Sequence, residues 1–126
     1  MPDWKPLEPP QDAANWARKR GWNPTVTTGD FDGNGSADWA ALGTSGGKAR
    51  LAICMNAKSR LELVVVDDPY CADLVYRARA RSRLYNYETE RHERLKHDGV
   101  SVSCFEKAGA TYVYERSGLR RIVDSD

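Results

Sequence analysis

The sequence predicts an α+β protein that is mostly β, with one N-terminal helix followed by two antiparallel β-meanders. Short apolar runs rich in β-branched residues recur at regular spacing and are separated by glycine-containing turns, which is typical of antiparallel strands. One segment near the N-terminus instead has apolar residues spaced three and four apart, which is the period of a helix. The length of 126 residues predicts a single domain, residues 1–126.

The N-terminal region divides into an extended segment and a helix. Residues 1–10 hold four of the six prolines and are expected to form an extended lead-in. The helix is predicted over residues 11–20, where Asp12 can act as the N-cap and Ala13 and Trp16 lie on one face. We expect Trp16 to attach this helix to the core.

Strands are predicted on both sides of a charged middle segment. Residues 25–67 form a loop and the first meander, and residues 100–124 form the second. The predicted strands are Thr25–Thr28, Trp39–Gly43, Ala49–Met55, Leu61–Asp67, Val100–Glu106, Thr111–Glu115 and Leu119–Val123. Residues 69–99 are highly charged, have weak periodicity and are expected to contain much loop.

The composition excludes several classes of protein. Hydrophobic residues make up 40% and charged residues 29% of the chain, which excludes collagen, a coiled coil and wholesale disorder. The formal net charge of +1 gives no global field that would attract nucleic acid or an anionic membrane. The longest aliphatic run, Leu63–Val66, is far shorter than the ~20 residues that cross a bilayer.

One loop carries a metal-binding pattern. Residues 29–38 read GDFDGNGSAD, which places side-chain oxygens at positions 1, 3, 5 and 9 of a loop that starts at Asp30. Calcium takes about six to eight oxygen ligands at roughly 2.3–2.6 Å, and the glycines allow the positive φ angles of a tight loop. We therefore predict calcium as a cofactor. The predicted ligands are Asp30, Asp32, Asn34, Ser36 (through its backbone carbonyl) and Asp38.

The pattern is not a complete EF-hand loop. Ala41 stands where an EF-hand has its bidentate glutamate, and residues 39–43 indicate a strand where an EF-hand has a helix. The alternative is a turn rich in Gly, Asp and Asn that binds no metal.

Residues 29–40 resemble the calcium loop of FG-GAP repeats, which are also called VCBS or integrin-α-like repeats. In these repeats an acidic nine-residue loop links two strands, and its final Asp leads directly into an apolar strand. The resemblance implies the ligand set given above, with Ser36 as a carbonyl ligand. The chain has a single copy of the motif, whereas a propeller needs several blades, so a propeller is not expected.

The C-terminal part has a charged stretch that ends in an Asp-Gly strand and a closing hairpin. Its segments are Lys96–Val100, Phe105–Ala108, Tyr112–Tyr114 and Arg121–Val123. This order is similar to that of small bacterial envelope proteins, some of which resemble periplasmic inhibitors or immunity proteins. The resemblance implies a non-catalytic calcium-binding protein that recognises another protein in the cell envelope, such as a toxin or a cell-wall hydrolase.

A run of alternating arginines is the predicted partner-binding surface. Its members are Arg77, Arg79, Arg81 and Arg83. In a strand, all four guanidinium groups would share one face. Two alternatives stay open: an edge strand charged against aggregation, and a groove for single-stranded nucleic acid with interleaved tyrosines.

No sequence motif indicates catalysis. His92 and His97 lie in a charged segment without a nucleophile motif, so a binding protein is expected and not an enzyme. Trp39, like Trp16, is predicted to be in the core. Trp4 and Trp22 could instead line a carbohydrate platform, so the alternative function is a glycan-binding module or an uncharacterised enzyme.

The three cysteines indicate the compartment. A disulfide between Cys54 and Cys71 is predicted, which leaves Cys104 as a buried thiol; a Cys71–Cys104 pair is the alternative. A disulfide, together with a calcium loop of the weak extracellular class, predicts a periplasmic or secreted protein.

Overall fold

The computed structural model describes residues 3–57, 60–69, 72–104 and 108–125. These residues contain one helix, α1 (Gln11–Lys19), and eleven strands. The strands are β1 (Lys5–Pro6), β2 (Val26–Gly29), β3 (Asp38–Ser45), β4 (Lys48–Ala57), β5 (Arg60–Asp67), β6 (Leu74–Ala78), β7 (Arg83–Asn86), β8 (Arg91–Arg94), β9 (Gly99–Cys104), β10 (Ala108–Glu115) and β11 (Gly118–Ser125).

The strands form two sheets and a ribbon. The first sheet has the order β1-β3-β4-β5, with β2 pairing along the same side of β3 as β1. The second has the order β11-β10-β9-β6, and β7 and β8 form a two-stranded ribbon. All pairs are antiparallel. The prediction of a mostly β protein with one helix and antiparallel sheets is confirmed.

Residues 69–99 contain the expected loops, but they also contain three short strands that the sequence did not predict, β6, β7 and β8. The sequence gives no periodic signal for the ribbon, because its strands are only four residues long and bury few apolar side chains. On β7, Leu84 packs against a small apolar cluster of the second sheet, while Arg83 is exposed.

One apolar core lies between the two sheets. Alternate residues of β3 and β4 face it, among them Leu42 and Ile53, and they meet Val100 and Val102 of β9 from the second sheet. Because strand side chains alternate between faces, each sheet also has an outer face, which must either be covered or stay exposed to water.

The outer face of the second sheet is covered. Leu74 of β6 packs there against Ala13, Ala17 and Trp16 of α1, as expected for Trp16. The β7–β8 ribbon covers the rest of this face, where Leu84 packs against a cluster of Leu95, Val113 and Ile122.

The helix begins at the predicted residue and ends one residue earlier than predicted. Its N-cap residue is Pro10, which makes no side-chain capping hydrogen bond. Asp12 lies inside the helix, where its carboxylate accepts the N–H of Ala13 at 2.9 Å, so the prediction that it is the N-cap is wrong. Lys19 is the last helical residue. No helix of the described residues is long and apolar enough to cross a membrane.

Candidate functional site

The predicted calcium loop connects β2 to β3. Gly29 and Asp38 pair across its base, so the two strands bring the ends of the loop together. Gly33 and Gly35 have φ angles of +76° and +86°, the left-handed conformation that a Cβ disfavours. The chain therefore folds back on itself within a few residues, and the side chains of the loop converge.

Three aspartates meet inside this loop. One carboxylate oxygen each of Asp30, Asp32 and Asp38 lies within 4.8 Å of the other two. Two oxygens that share a calcium ion at about 2.3–2.6 Å can be at most about 5 Å apart, so this spacing is compatible with a common ion. The geometry thus brings together the three carboxylates that the sequence pattern selected.

Two of these carboxylates, Asp38 and Asp30, each accept two backbone N–H groups. Asp38 is almost fully buried, and its oxygens accept the N–H of Phe31 at 2.8 Å and of Asn56 at 2.7 Å. Asp30 accepts the N–H groups of Asn34 and of the following glycine, at 3.1 and 2.9 Å. Since a carboxylate has about four lone-pair directions, both groups can still bind a cation.

The electrostatics of the loop favour a bound cation. Burial raises the pKa of the Asp32 carboxyl above its ordinary value, and the negative charges of Asp38 and Asp30 raise this pKa further. A hydrogen bond from the Asn34 N–H acts in the opposite direction. The raised pKa means that the folded protein opposes ionisation of Asp32, an opposition that a divalent cation between the carboxylates would remove.

Asn34 and Ser36 are held differently from the aspartates. The side-chain oxygen of Asn34 accepts the N–H of Ser36 at 2.8 Å, and its amide nitrogen donates to the carbonyl of Asn56 at 3.0 Å. The first bond lies within the loop, and the second fastens the loop to the end of β4. The roles of Asn34 and Ser36 as ligands stay predictions.

The sequence reasoning missed a support for the loop that comes from the second half of the chain. Asp98, just before β9, accepts the N–H of Asp30 at 3.0 Å and the N–H of Ala80 at 2.8 Å. The ring of His97 lies against Gly33, where an added Cβ would come within 3.2 Å of it. The Asp-Gly pair that opens β9 was the only sequence signal here, and it does not reveal which loop it contacts.

Trp39 is exposed, so its predicted place in the core is wrong. Asp38 opens β3 and points into the loop, and successive strand residues point to opposite faces, so Trp39 points outward. It is 45% exposed. The first sheet therefore presents a tryptophan to water directly beside the predicted calcium loop.

Further apolar side chains share this outer face. Residues directly opposite each other in an antiparallel pair point to the same side. One row across the sheet consists of Thr28, Trp39, Cys54 and Leu63, and the next consists of Val26, Ala41, Ala52 and Val65. Leu63 is 57% and Leu61 is 69% exposed. We call these two rows, with Leu61, the open face.

The predicted Cys54–Cys71 disulfide is wrong with respect to Cys54. This residue is a buried free thiol on β4, placed between Trp39 and Leu63 in its row of the open face. Cys104, predicted to be a thiol, is disulfide-bonded. Cys71 lies outside the described residues.

The four arginines do not share one strand face. Arg77 belongs to β6 and Arg83 begins β7, while the chain turns between them. Arg81 has a φ of +73°, which takes it out of any extended strand. All four side chains are exposed, but only Arg77 and Arg79 line a common cleft, together with Trp22.

The loop motif, the open face and this cleft are not explained by likeness to a known protein. No protein-family model matches the chain, and neither a curated protein nor a solved structure is detectably similar to it.

Proposed function

We propose that this protein is a non-catalytic calcium-binding protein of the bacterial cell envelope that recognises another protein. An inhibitor or immunity protein directed at a toxin or a cell-wall hydrolase would have this role. The observation that carries the proposal is the open face of the first sheet, where Trp39, Leu61, Leu63 and Val26 are each at least 40% exposed. Contiguous exposed apolar surface of this kind marks interaction sites in soluble proteins.

The open face suits a protein partner for a second reason. β5 is the edge strand of the first sheet, and it carries Leu61, Leu63 and Val65 toward the open face. An edge strand has unpaired backbone groups, and a partner strand can add to them while its side chains contact the apolar rows. Tryptophan is also among the residues that contribute most to protein interfaces.

Calcium has a structural role in this proposal. The loop lies at the end of the open face, since Asp38 immediately precedes Trp39 and bonds to Asn56 of β4. An ion held by Asp30, Asp32 and Asp38 would fix the position of the start of β3 relative to the end of β4. It would thereby order the surface that the partner contacts.

The surroundings of the histidines support a non-catalytic role. Both ring nitrogens of His97 contact backbone carbonyl oxygens, of Asp98 at 3.0 Å and of Tyr114 at 2.9 Å, so the ring acts as a structural bridge. His92 lies against the ring of Tyr85 on the ribbon, with centroids 5.1 Å apart.

The calcium part is tested by thermal unfolding of chelator-stripped protein with and without about 1 mM calcium. For a site with a dissociation constant on the order of 0.1 mM, linkage predicts a stabilisation of about 1.4 kcal/mol, or a few degrees in Tm. The stabilisation is expected to disappear in Asp32→Asn. The matched control is Asp68→Asn, an exposed carboxylate whose φ of +54° asparagine also adopts. An equal calcium effect in both variants, or none in the natural chain, would contradict the site.

The recognition part is tested with a panel of purified bacterial cell-wall hydrolases and toxins, measured for binding and for inhibition. The variant Leu61→Lys/Leu63→Lys is expected to weaken binding by at least about tenfold, because it places two charges on the apolar surface. Its Tm should stay close to that of the natural chain, since both side chains are exposed. Arg116→Glu, a charge change at an exposed residue in the turn between β10 and β11, serves as the control. Equal binding by all three proteins, or turnover of a cell-wall substrate, would contradict the proposed function.

A further inference from the structure

A cleft separates the first sheet from the second where β2 runs beside β6. Its volume is about 350 Å³, which is at the small end of the range for ligand pockets. The side chains that matter for its chemistry are Trp22, Asn23, Thr27, Thr28, Arg77 and Arg79. None of the predicted calcium ligands lines the cleft.

One wall of the cleft is an indole ring that is held in place and remains accessible. Trp22 stacks on Tyr76 with centroids 5.7 Å apart and an interplanar angle of 20°, and it meets Trp16 nearly at right angles, at 5.4 Å. It is nevertheless 43% exposed. A ring fixed by two neighbours loses little further rotational freedom when a flat apolar ligand surface packs against it.

The cleft is also cationic. Arg77 and Arg79 line it, and no carboxylate does so among the described residues. Within the part of the chain that the structure describes, neither arginine forms an ion pair. The nearby Asp98 bonds with both oxygens to backbone N–H groups. Two guanidinium groups are therefore available for a carboxylate, which they can bind with paired hydrogen bonds.

Hydrogen-bonding groups complete the site. The N–H of Val75 donates to the carbonyl of Pro24 at 3.0 Å, so it points toward β2 and away from β9. In an antiparallel pair the direction of the peptide groups alternates, so the N–H and C=O of Arg77 point into the cleft as well. Together with Asn23 and Thr27 they offer donors and acceptors of the kind that sugar hydroxyls need.

We propose that this cleft binds a single carboxylate-bearing sugar residue, with its apolar ring face on Trp22 and its carboxylate on Arg77 and Arg79. A single-stranded nucleic acid fits less well, because it needs successive stacking surfaces and the cleft has one exposed aromatic ring. An acidic peptide could pair with the arginines, but it would leave the indole face without a planar partner. The cleft adjoins the open face, because Val26 and Thr28 belong to both, but the proposed ligand contacts of Trp22, Arg77 and Arg79 lie outside that face.

The test uses glucuronic acid and glucose, which differ only in a carboxylate against a hydroxymethyl group. Binding to the full chain is followed by backbone NMR shifts and by tryptophan fluorescence. Glucuronic acid is expected to bind at least roughly tenfold more tightly than glucose, and to shift the resonances of residues 22–28 and 75–79. Trp22→Ala and Arg77→Gln/Arg79→Gln should each weaken binding by about tenfold or more.

Matched controls separate the cleft from the rest of the surface. Trp39→Ala removes the other strongly exposed tryptophan, and Arg83→Gln removes an exposed arginine outside the cleft; both should bind glucuronic acid like the natural chain. Equal affinity for the two sugars, shifts elsewhere, or no binding up to the solubility limit would overturn the proposal. Tighter binding of a glutamate-rich peptide at these residues would replace the sugar by a peptide ligand.

Discussion

The two sheets treat their outer faces in opposite ways. On the second sheet, Val113 and Ile122 point outward, yet both are buried because the β7–β8 ribbon lies on them. On the first sheet, Leu61 and Leu63 also point outward, and both remain exposed. The same chain thus buries one apolar outer face with its own elements and leaves another open.

This difference separates apolar residues that stabilise the fold from apolar residues that are available for binding. An apolar side chain that the fold covers contributes to the free energy of unfolding through the area it removes from water. An apolar side chain that stays in water contributes little to that free energy, so its presence requires another reason. The open face and the covered face can therefore be told apart by mutation.

The largest expected effect comes from truncation on the covered face. Ile122→Ala removes a fully buried side chain and leaves a cavity between the ribbon and the second sheet, so we expect a loss of about 2–5 kcal/mol in the free energy of unfolding. Leu61→Ala on the open face should change it by at most about 0.5 kcal/mol. Urea denaturation of both variants measures the two values. Similar losses would mean that the two faces are covered to the same extent.

An intermediate effect is expected where Trp4 lies over Gly43 and closes one end of the outer face of the first sheet. A Cβ added to Gly43 would overlap the Trp4 ring and would lie 2.6 Å from the carbonyl oxygen of Lys5. Gly43→Ala must therefore displace β1, which pairs with β3 at this point, and should cost about 1–3 kcal/mol. A double-mutant cycle with Trp4→Ala, followed by urea denaturation, measures how much of the loss comes from the ring. Full additivity of the two single losses would show that the ring and residue 43 do not interact.

The part of the site that the sequence predicted is the part that is local. Asp30, Asp32 and Asp38 lie within nine residues, and the loop geometry follows from two glycines between them. The strands β2 to β5 and the helix were predictable for the same reason, since the signal for each is contained in its own segment, whereas β1 was expected only as an extended lead-in. The side-chain alternation of β3 also follows from the sequence, once Asp38 is known to point inward.

The remainder depends on contacts between distant segments. Trp22 and Arg77 meet in one cleft only because α1 and β6 pack together, and no local pattern encodes that contact. Whether an apolar strand face is open depends on what another segment covers, so Trp39 and Leu84 could not be assigned from their own strands. The short ribbon that makes the difference has too few residues for a periodic signal.

The smallest expected effect concerns how the ribbon is attached to the second sheet. The Arg120 guanidinium, bonded to both oxygens of Glu93 at 2.7 and 3.2 Å, holds the pKa of the Glu93 carboxyl below its usual value, and the amide of Asn86 adds to this. Because this pKa is lowered by folding, the stabilisation is fully present above the unfolded value of about 4.3 and is lost as the pH falls through the lower folded value. The pair is partly exposed, so we expect at most about 1 kcal/mol.

Hydrogen exchange locates this effect on the covered side of the molecule. Between pH 6 and pH 3.5, after correction for the intrinsic rate, the amide of Leu95, which donates to Ser82 at 2.9 Å, should lose protection, while amides of β4 should not. Glu93→Gln should show the weakened protection already at pH 6, and Glu90→Gln, an exposed residue in the turn of the ribbon, should behave like the natural chain. If protection fell equally in β4, acid would weaken the whole fold and the ribbon would not be a separately attached cover. The covered face would then be an integral part of the fold, and the two outer faces would differ only in how exposed they are.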